Sequence, residues 1–315
     1  MMILDVFAKL KRKYCYHVSK AHFIRKINIK NDEWFFILAY GIGDFYLFLS
    51  LVDLFKKYNG VEKLSIGVVK KYQLQLIDIF RSDFYKVIDI NEYELKFCKK
   101  NVFSPGVPLV LHPDYFLKNS CLSLLGYKNF NLNDVYKLLL NISLKEVNAH
   151  PVIHDKFIQS AKRRFEDYNI LESQLVLISP HANSFDESII PFEFWERIIF
   201  VLQGRGYKVL VNTTQHKQRF EGIINTTCVD FSLNEAIPFV ELCENFIGLR
   251  SGFCDLISSS KTKKIILYPS FKWYSGSFIN GSSIEKMGLG TSNIFEYELK
   301  KDTLYDQVDE ILSAL

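Results

Sequence analysis

Twice along this chain, short apolar runs alternate with stretches of helical periodicity, and that double alternation limits the fold more than any other feature. From Glu33 the first series reads Trp34-Phe-Phe-Ile-Leu-Ala-Tyr40 as a buried strand, Phe45 to Tyr58 as a helix, Lys63 to Val69 as a strand and Tyr72 to Phe80 as a helix. Strands at Lys86 to Ile90 and Pro108 to Leu111 follow. Residues 112–150 are less periodic, with short helical pieces near Cys121–Leu125 and Asn133–Leu140. A polar helix from Ile153 to Tyr168 opens the second series. Strands are predicted at Leu175–Ser179, Tyr207–Asn212, Asn245–Leu249 and Lys264–Tyr268, separated by helices at Pro191–Gln203, Asn234–Cys243 and Gly252–Ser259. Strands separated by helices pair in parallel and carry helices on both faces. The expected fold class is therefore α/β, with two Rossmann-like domains at 31–150 and 151–300. Open parallel sheets bind ligands beyond the carboxyl ends of their strands, so two facing units put the site in the cleft between them.

At 315 residues with 48% hydrophobic content, the chain can bury two ordinary cores. No run reaches the roughly 18 apolar residues of a spanning helix, and Asp5, Lys9 and Lys11 interrupt the start before it could act as a signal peptide. A cytoplasmic protein is expected. The six cysteines (Cys15, Cys98, Cys121, Cys228, Cys243, Cys254) form no C-x-x-C pair and have no histidines at zinc spacing, so they read as reduced, mostly buried thiols.

The net charge of +4 is uneven: residues 1–30 hold eight Lys or Arg against Asp5, a net +7. Within them Ile3, Phe7, Leu10, Tyr14, Val18 and Ala21 recur at steps of three and four, while Arg12, Lys13, His17 and Lys20 fall largely elsewhere. This predicts a basic amphipathic helix. Its stripe either packs on the protein or lies in an anionic membrane surface. The basic residues cluster only here and no recognition motif accompanies them, so nucleic acid is not an expected partner.

Three strand-end turns carry candidate chemistry. Gly41-Ile-Gly43-Asp44 joins a strand to a helix, where glycines let the backbone approach a ligand; no third glycine completes a dinucleotide fingerprint. Asp44 is either functional or the N-cap of its helix. Ser179-Pro-His181-Ala-Asn183-Ser184 offers hydroxyls and amides to phosphate or ribose, with His181 as a donor or a general acid–base. Leu249-Arg250-Ser251-Gly252-Phe253-Cys254-Asp255 runs from a buried strand into a helix, where an anion would gain free amides, a positive dipole end and a guanidinium. Alternatively Ser251 is only the N-cap and Arg250 pairs with Asp255 or another carboxylate. Thr213 joins the donor contacts, and His112 and Asp114, beyond the fourth strand, are the candidate acceptor contacts.

The order of these elements resembles the GT-B glycosyltransferases. The features that carry it are Gly43-Asp44 opening the first helix, Ser179-Pro-His-Ala-Asn-Ser184 before Pro191-Phe-Glu-Phe-Trp195, and a Gly-x-x-Ser-Gly at Gly248–Gly252. The closest named group is the lipopolysaccharide heptosyltransferase family, and the resemblance covers roughly residues 33–290. It implies that Asp44 is the base that deprotonates the acceptor hydroxyl and that the Arg250–Asp255 turn holds donor phosphates. It also implies that the terminal helix, 301–315, with Leu304, Val308, Ile311 and Leu312 on one face, packs back on the first domain. The chain departs from the family pattern in three places: Asp255 stands where a histidine belongs, Arg250 where an acidic residue belongs, and Asp186-Glu187 near the expected phosphate-binding lysine.

No Asp-x-Asp motif and no His/Asp/Glu cluster at metal spacing asks for Mg²⁺ or Mn²⁺, so neither metal nor cofactor is expected. The expected activity is metal-independent transfer of a sugar from a nucleotide diphosphate donor to a glycan or lipid-linked acceptor in bacterial surface polysaccharide synthesis, lipopolysaccharide or capsule, with peripheral contact at the inner face of the membrane. A non-catalytic nucleotide- or sugar-binding protein and a sugar-nucleotide epimerase are the alternatives; replacing Asp44 separates the first from a transferase, and product analysis the second.

Overall fold

The computed structural model describes residues 2–116, 122–170, 174–182, 189–213, 216–290 and 293–315, with backbone alone for 2–13 and 116. The first half runs α1 (Met2–Ile27), β1 (Trp34–Ile37), α2 (Ile42–Asn59), β2 (Leu64–Val68), α3 (Tyr72–Phe80), β3 (Lys86–Asp89), β4 (Pro108–Val110), α4 (Pro113–Phe116) and α5 (Leu132–Leu139). Its four strands are parallel in the order β3-β2-β1-β4. The run at β1 is apolar throughout because both faces are covered. Phe35 and Ile37 point to a cluster that holds Phe23 and Ile27 of α1, while Phe36 and Leu38 enter the main core with Phe45, Phe48 and Phe55 of α2.

The second half continues with α6 (Asp155–Asp167), β5 (Leu175–Ser179), α7 (Phe192–Gly204), β6 (Lys208–Asn212), α8 (Lys217–Glu221), β7 (Thr226–Val229), α9 (Ala236–Glu241), β8 (Asn245–Leu249), α10 (Gly252–Leu256) and β9 (Lys263–Pro269). A hairpin, β10 (Lys272–Trp273) and β11 (Gly276–Ser277), then leads to α11 (Phe278–Ser282), β12 (Ile294–Leu299) and α12 (Gln307–Ser313). The six long strands are parallel in the order β12-β9-β8-β5-β6-β7, which is the doubly wound 3-2-1-4-5-6 arrangement. Alternate residues again divide between layers: Leu175 and Leu177 join the core shared with the first half, and Val176 and Ile178 face α7. The α/β class with two Rossmann-like units is as expected.

Two expectations need correction. The terminal helix α12 does not cross to the first half: Val308, Ile311 and Leu312 pack with Phe194, Trp195 and Ile198 of α7, and Arg205 Nη1 donates to the Leu312 carbonyl at 2.5 Å. Its apolar face was readable, but α7 offers the nearer apolar surface. Among the described side chains of α1, Phe23 and Ile27 are buried and Tyr16 meets Phe97 edge-on, while Tyr14 and Val18 of the predicted stripe are 71% and 50% exposed. Ile3, Phe7 and Leu10 lie where only the backbone is described. Among the described cysteines Cys98, Cys228, Cys243 and Cys254 are buried free thiols and Cys15 is exposed. Among the described residues no helix is long and apolar enough to cross a membrane.

Candidate functional site

Each sheet reverses its strand order once, the first between β1 and β4 and the second between β5 and β8. The turns that leave these four strands converge on one cavity of about 790 Å³. Tyr40 to Asp44 follow β1, His112 to Asp114 follow β4, Ser179, His181 and Ala182 follow β5, and Arg250 to Gly252 follow β8. Asn212 and Thr213 at the end of β6 complete the second-half wall. Ligands of doubly wound sheets sit at such switch points, and here two of them share one space.

Asp44 lies in the first turn of α2, whose N-cap is Gly41, so capping is not its role. The Tyr136 hydroxyl donates to Asp44 Oδ1 at 2.8 Å. Burial pushes the Asp44 carboxyl above the usual carboxylate range, the Tyr136 hydrogen bond and His112 pull it back, and Asp114 adds to the rise. A desolvated, partly buried carboxyl with a raised pKa, held by the Tyr136 hydroxyl and its own backbone amide and lining a cavity, has the properties of a general base.

The candidate acceptor contacts are aromatic as well as polar. The His112 ring lies 3.9 Å from the Tyr40 ring centre, and the Asp114 amide donates to His112 Nδ1 at 3.3 Å. Tyr40 and Tyr115 share a hydroxyl hydrogen bond of 2.5 Å, and Tyr72 donates to the Tyr40 carbonyl. From the second half, Tyr274 on the β10–β11 hairpin reaches over to donate to Asp114 Oδ1 at 3.5 Å, beside Trp273. Tyr40, Tyr72, Tyr136, Trp273 and Tyr274 were not singled out from sequence. Nothing local marks them, since Tyr136 is 92 positions from Asp44 and Tyr274 is 160 from Asp114.

On the wall that the second half contributes, Arg250 is 5% exposed. Its Nη2 and Nη1 meet Asp255 Oδ1 and Oδ2 at 2.7 and 3.1 Å, Nη1 also donates to the Ser251 carbonyl, and Nε donates to the Ser282 carbonyl at 2.8 Å. The guanidinium is therefore engaged in holding its own turn, and the pairing with Asp255 is the alternative that the structure adopts. Burial pushes the Asp255 carboxyl up to about 6, against the pull of Arg250. At five residues α10 is shorter than the helix expected over Gly252–Ser259 and has a short run of aligned peptide dipoles. Ser251 is its N-cap, and its hydroxyl makes no capping hydrogen bond. Gly252 is fixed by contact with the first half: a Cβ there would lie 2.3 Å from the Gly43 nitrogen.

Gly43, Asp44, His112, Asp114, Ser179, His181, Thr213, Arg250, Ser251, Gly252 and Asp255 all line the cavity. His181 also borders a smaller recess of about 230 Å³ with His216, whose ring centre is 5.8 Å away. Asn183, Ser184, Asp186 and Glu187 lie outside the described residues. Among the described residues no group of three His, Cys, Asp or Glu side chains could hold a metal ion.

No protein-family model matches this chain, and no curated protein matches it in sequence. Solved structures do match in shape. A glycosyl transferase family 9 protein from Veillonella parvula superposes with a TM-score of 0.59 at 11% identity, covering 90% of this chain and 96% of that one. The E. coli ADP-heptose lps heptosyltransferase II gives 0.59 at 8% identity over 89% and 98%. The E. coli heptosyltransferase WaaC with ADP-2-deoxy-2-fluoro heptose gives 0.51 at 11% over 89% and 99%. At these identities the likeness is one of fold: this chain has the two-unit GT-B architecture of those glycosyltransferases along nearly its whole length.

Proposed function

We propose that the protein is a glycosyltransferase that moves a sugar from a nucleoside diphosphate to a glycan or glycolipid hydroxyl in bacterial surface polysaccharide synthesis, using no metal ion. The observation that carries this reading is Asp44: a carboxyl desolvated at the switch point of one sheet, held by Tyr136, and sharing a cavity with the β8 turn at the switch point of the other. Structures of the same architecture are named as ADP-heptose transferases, which supports a nucleotide-sugar donor.

In the proposed reaction Asp44 takes the proton of the acceptor hydroxyl, whose oxygen bonds to the anomeric carbon as the bond from that carbon to the diphosphate oxygen breaks. The departing diphosphate is held by the backbone amides at Ser251–Phe253 and by the hydroxyls of Ser179, Ser251 and Thr213, with Asn183 and Ser184 as further donor contacts. Arg250 acts by fixing the turn through Asp255 and Ser282. His112 and Asp114 contact the acceptor, and His181 sits at the donor side as a second acid–base group. A thermal-shift screen of UDP, GDP, ADP, CMP and dTDP sugars, followed by transfer assays on wild type and Asp44→Asn, tests the reading. Donor binding kept with turnover lost is expected; full turnover in Asp44→Asn would remove Asp44 from the mechanism.

A non-catalytic nucleotide- or sugar-binding protein is the second reading. One observation favours it: Arg250 is the lone Lys or Arg among the described residues lining the cavity, and Asp255 neutralises it.

The basic helix α1 brings the protein to the inner face of an anionic membrane, where a lipid-linked acceptor resides. Supporting this, α1 exposes Tyr14 and Val18 within residues 1–30, whose net charge is +7.

A further inference from the structure

Tyr136 is fully buried on α5, and α5 is held from three directions. Its N-terminus is closed by a capping box between Asn131 and Asp134. Asn133 and Asn148 exchange side-chain hydrogen bonds of 2.9 and 3.0 Å, and Asn148 goes on to Ser50 Oγ at 2.7 Å, on the same helix that carries Asp44. From the second half, the carbonyls of Lys286 and Met287 accept from Asn131 and Asn133 at 2.9 and 2.8 Å. A phenol on a helix so pinned has no freedom to follow a wandering carboxylate; instead it fixes where the carboxylate sits.

We propose that Tyr136 is a positioning residue for the transfer reaction, holding Asp44 Oδ1 so that Oδ2 is presented to the acceptor hydroxyl. This rests on the transferase reading, in which Asp44 is the base. Both groups are built for the task. Burial and the neighbouring Asp44 charge push the Tyr136 phenol well above its ordinary range, so it remains a donor at every pH at which Asp44 can act. The groups that face Asp44 are Tyr40 in its own turn, Tyr72 from α3, His112 and Asp114 beyond β4, Tyr136 from α5, and Asp255 from α10 with Arg250 paired to it. A hydrogen bond donated to the ionised form favours that form. Loss of the phenol oxygen therefore leaves a desolvated carboxylate with one donor fewer, and its pKa rises.

The test needs no substrate. Protein labelled with ¹³C at aspartate carboxyls is titrated by NMR, with Asp44→Asn used to assign the resonance. In Tyr136→Phe, with circular dichroism unchanged, the Asp44 midpoint should move up by about one to two pH units, the size expected when a hydrogen bond to a charged group is lost. An unchanged midpoint in the folded variant overturns the proposal. In wild type labelled at tyrosine Cζ, the phenol resonance that is missing from Tyr136→Phe should move at the Asp44 midpoint and become flat in Asp44→Asn; a Tyr136 resonance that does not move also overturns it. Absence of transfer by the wild type would sink the transferase reading, and full transfer by Asp44→Asn would remove Asp44 as its base; both leave these titrations as they stand, so those failures are distinguishable from failure of the Tyr136 contact.

Discussion

Gly43 and Gly252 meet backbone to backbone where the two halves join: a Cβ on Gly252 would lie 2.3 Å from the Gly43 nitrogen, and one on Gly43 would lie 2.6 Å from Asp255 Oδ2. The starts of α2 and α10 therefore touch with no side chain between them. That closeness brings Asp44 and the β8 turn into one cavity. Gly252→Ala should destabilise the protein by about 1–3 kcal/mol, the range for overpacking a tight contact. Gly41→Ala is the control, because its φ of −69° suits any residue and nothing lies within 4 Å of the added methyl. Calorimetric melting of the two variants checks the contrast, and equal melting temperatures would refute it.

Arg250→Ala should lower stability by roughly 3–5 kcal/mol, because it strands the buried Asp255 carboxylate. The pair is 6% and 3% exposed at its side chains, so solvent cannot take the place of the lost partner. Replacing both residues with apolar ones of similar volume, Arg250→Met with Asp255→Leu, should recover a good part of the loss. Urea unfolding of the single and double variants measures this; a single variant as stable as wild type would show that the guanidinium is not structural.

Asp44→Asn should raise stability at neutral pH while abolishing transfer. The carboxyl is raised above its unfolded value, so the fold favours its neutral form. Any stabilisation from Asp44 is therefore complete below the unfolded pKa and disappears as pH rises through the folded one. Above that point the wild type holds an ionised carboxylate in a desolvated place, a burden that asparagine lacks. The melting temperature of Asp44→Asn should exceed that of wild type at about pH 8, and the gap should close toward about pH 4. A gap that widens on acidification would contradict the sign.

Deleting residues 1–20 should leave the melting temperature within a degree or so, because Phe23 and Ile27, the buried residues among the described side chains of α1, remain. The same deletion should remove binding to vesicles containing phosphatidylglycerol. Co-sedimentation of both proteins decides it, and equal binding would end the membrane reading.

The sheet strands were legible wherever both faces are covered. Trp34–Ile37, Leu175–Ser179 and Asn245–Leu249 are continuous apolar or small runs, and each was placed within a few residues. Besides the short hairpin strands β10 and β11, the strands that escaped are the outermost two of the six-stranded sheet, β7 and β12, where Thr226, Thr227, Glu296 and Glu298 break the pattern because one side meets solvent or polar partners. At the site, the positions of Asp44 and the β8 turn were readable because turn residues after a strand announce themselves. The state of Arg250 was not: a turn arginine five residues before an aspartate fits a ligand contact and a buried pair equally well, and only the packing of Ser282 and Asp255 around it decides. Tyr136 escaped because its meaning depends on a tertiary contact alone.

The segment from Leu122 to Asn133 belongs by chain order to the first half, yet it is stitched to the second. A Cβ on Gly126 would lie 2.9 Å from the Gly276 Cα, Ser275 N donates to the Leu125 carbonyl, and Asn131 and Asn133 hold the carbonyls of Lys286 and Met287. Chimeras that exchange second halves between proteins of this architecture, cut near residue 150, would separate segments that pack on one another. Recombinants inheriting 122–133 and 272–287 from the same parent should be the ones that fold, so that inheritance unit, not the midpoint of the chain, sets where specificity can be swapped.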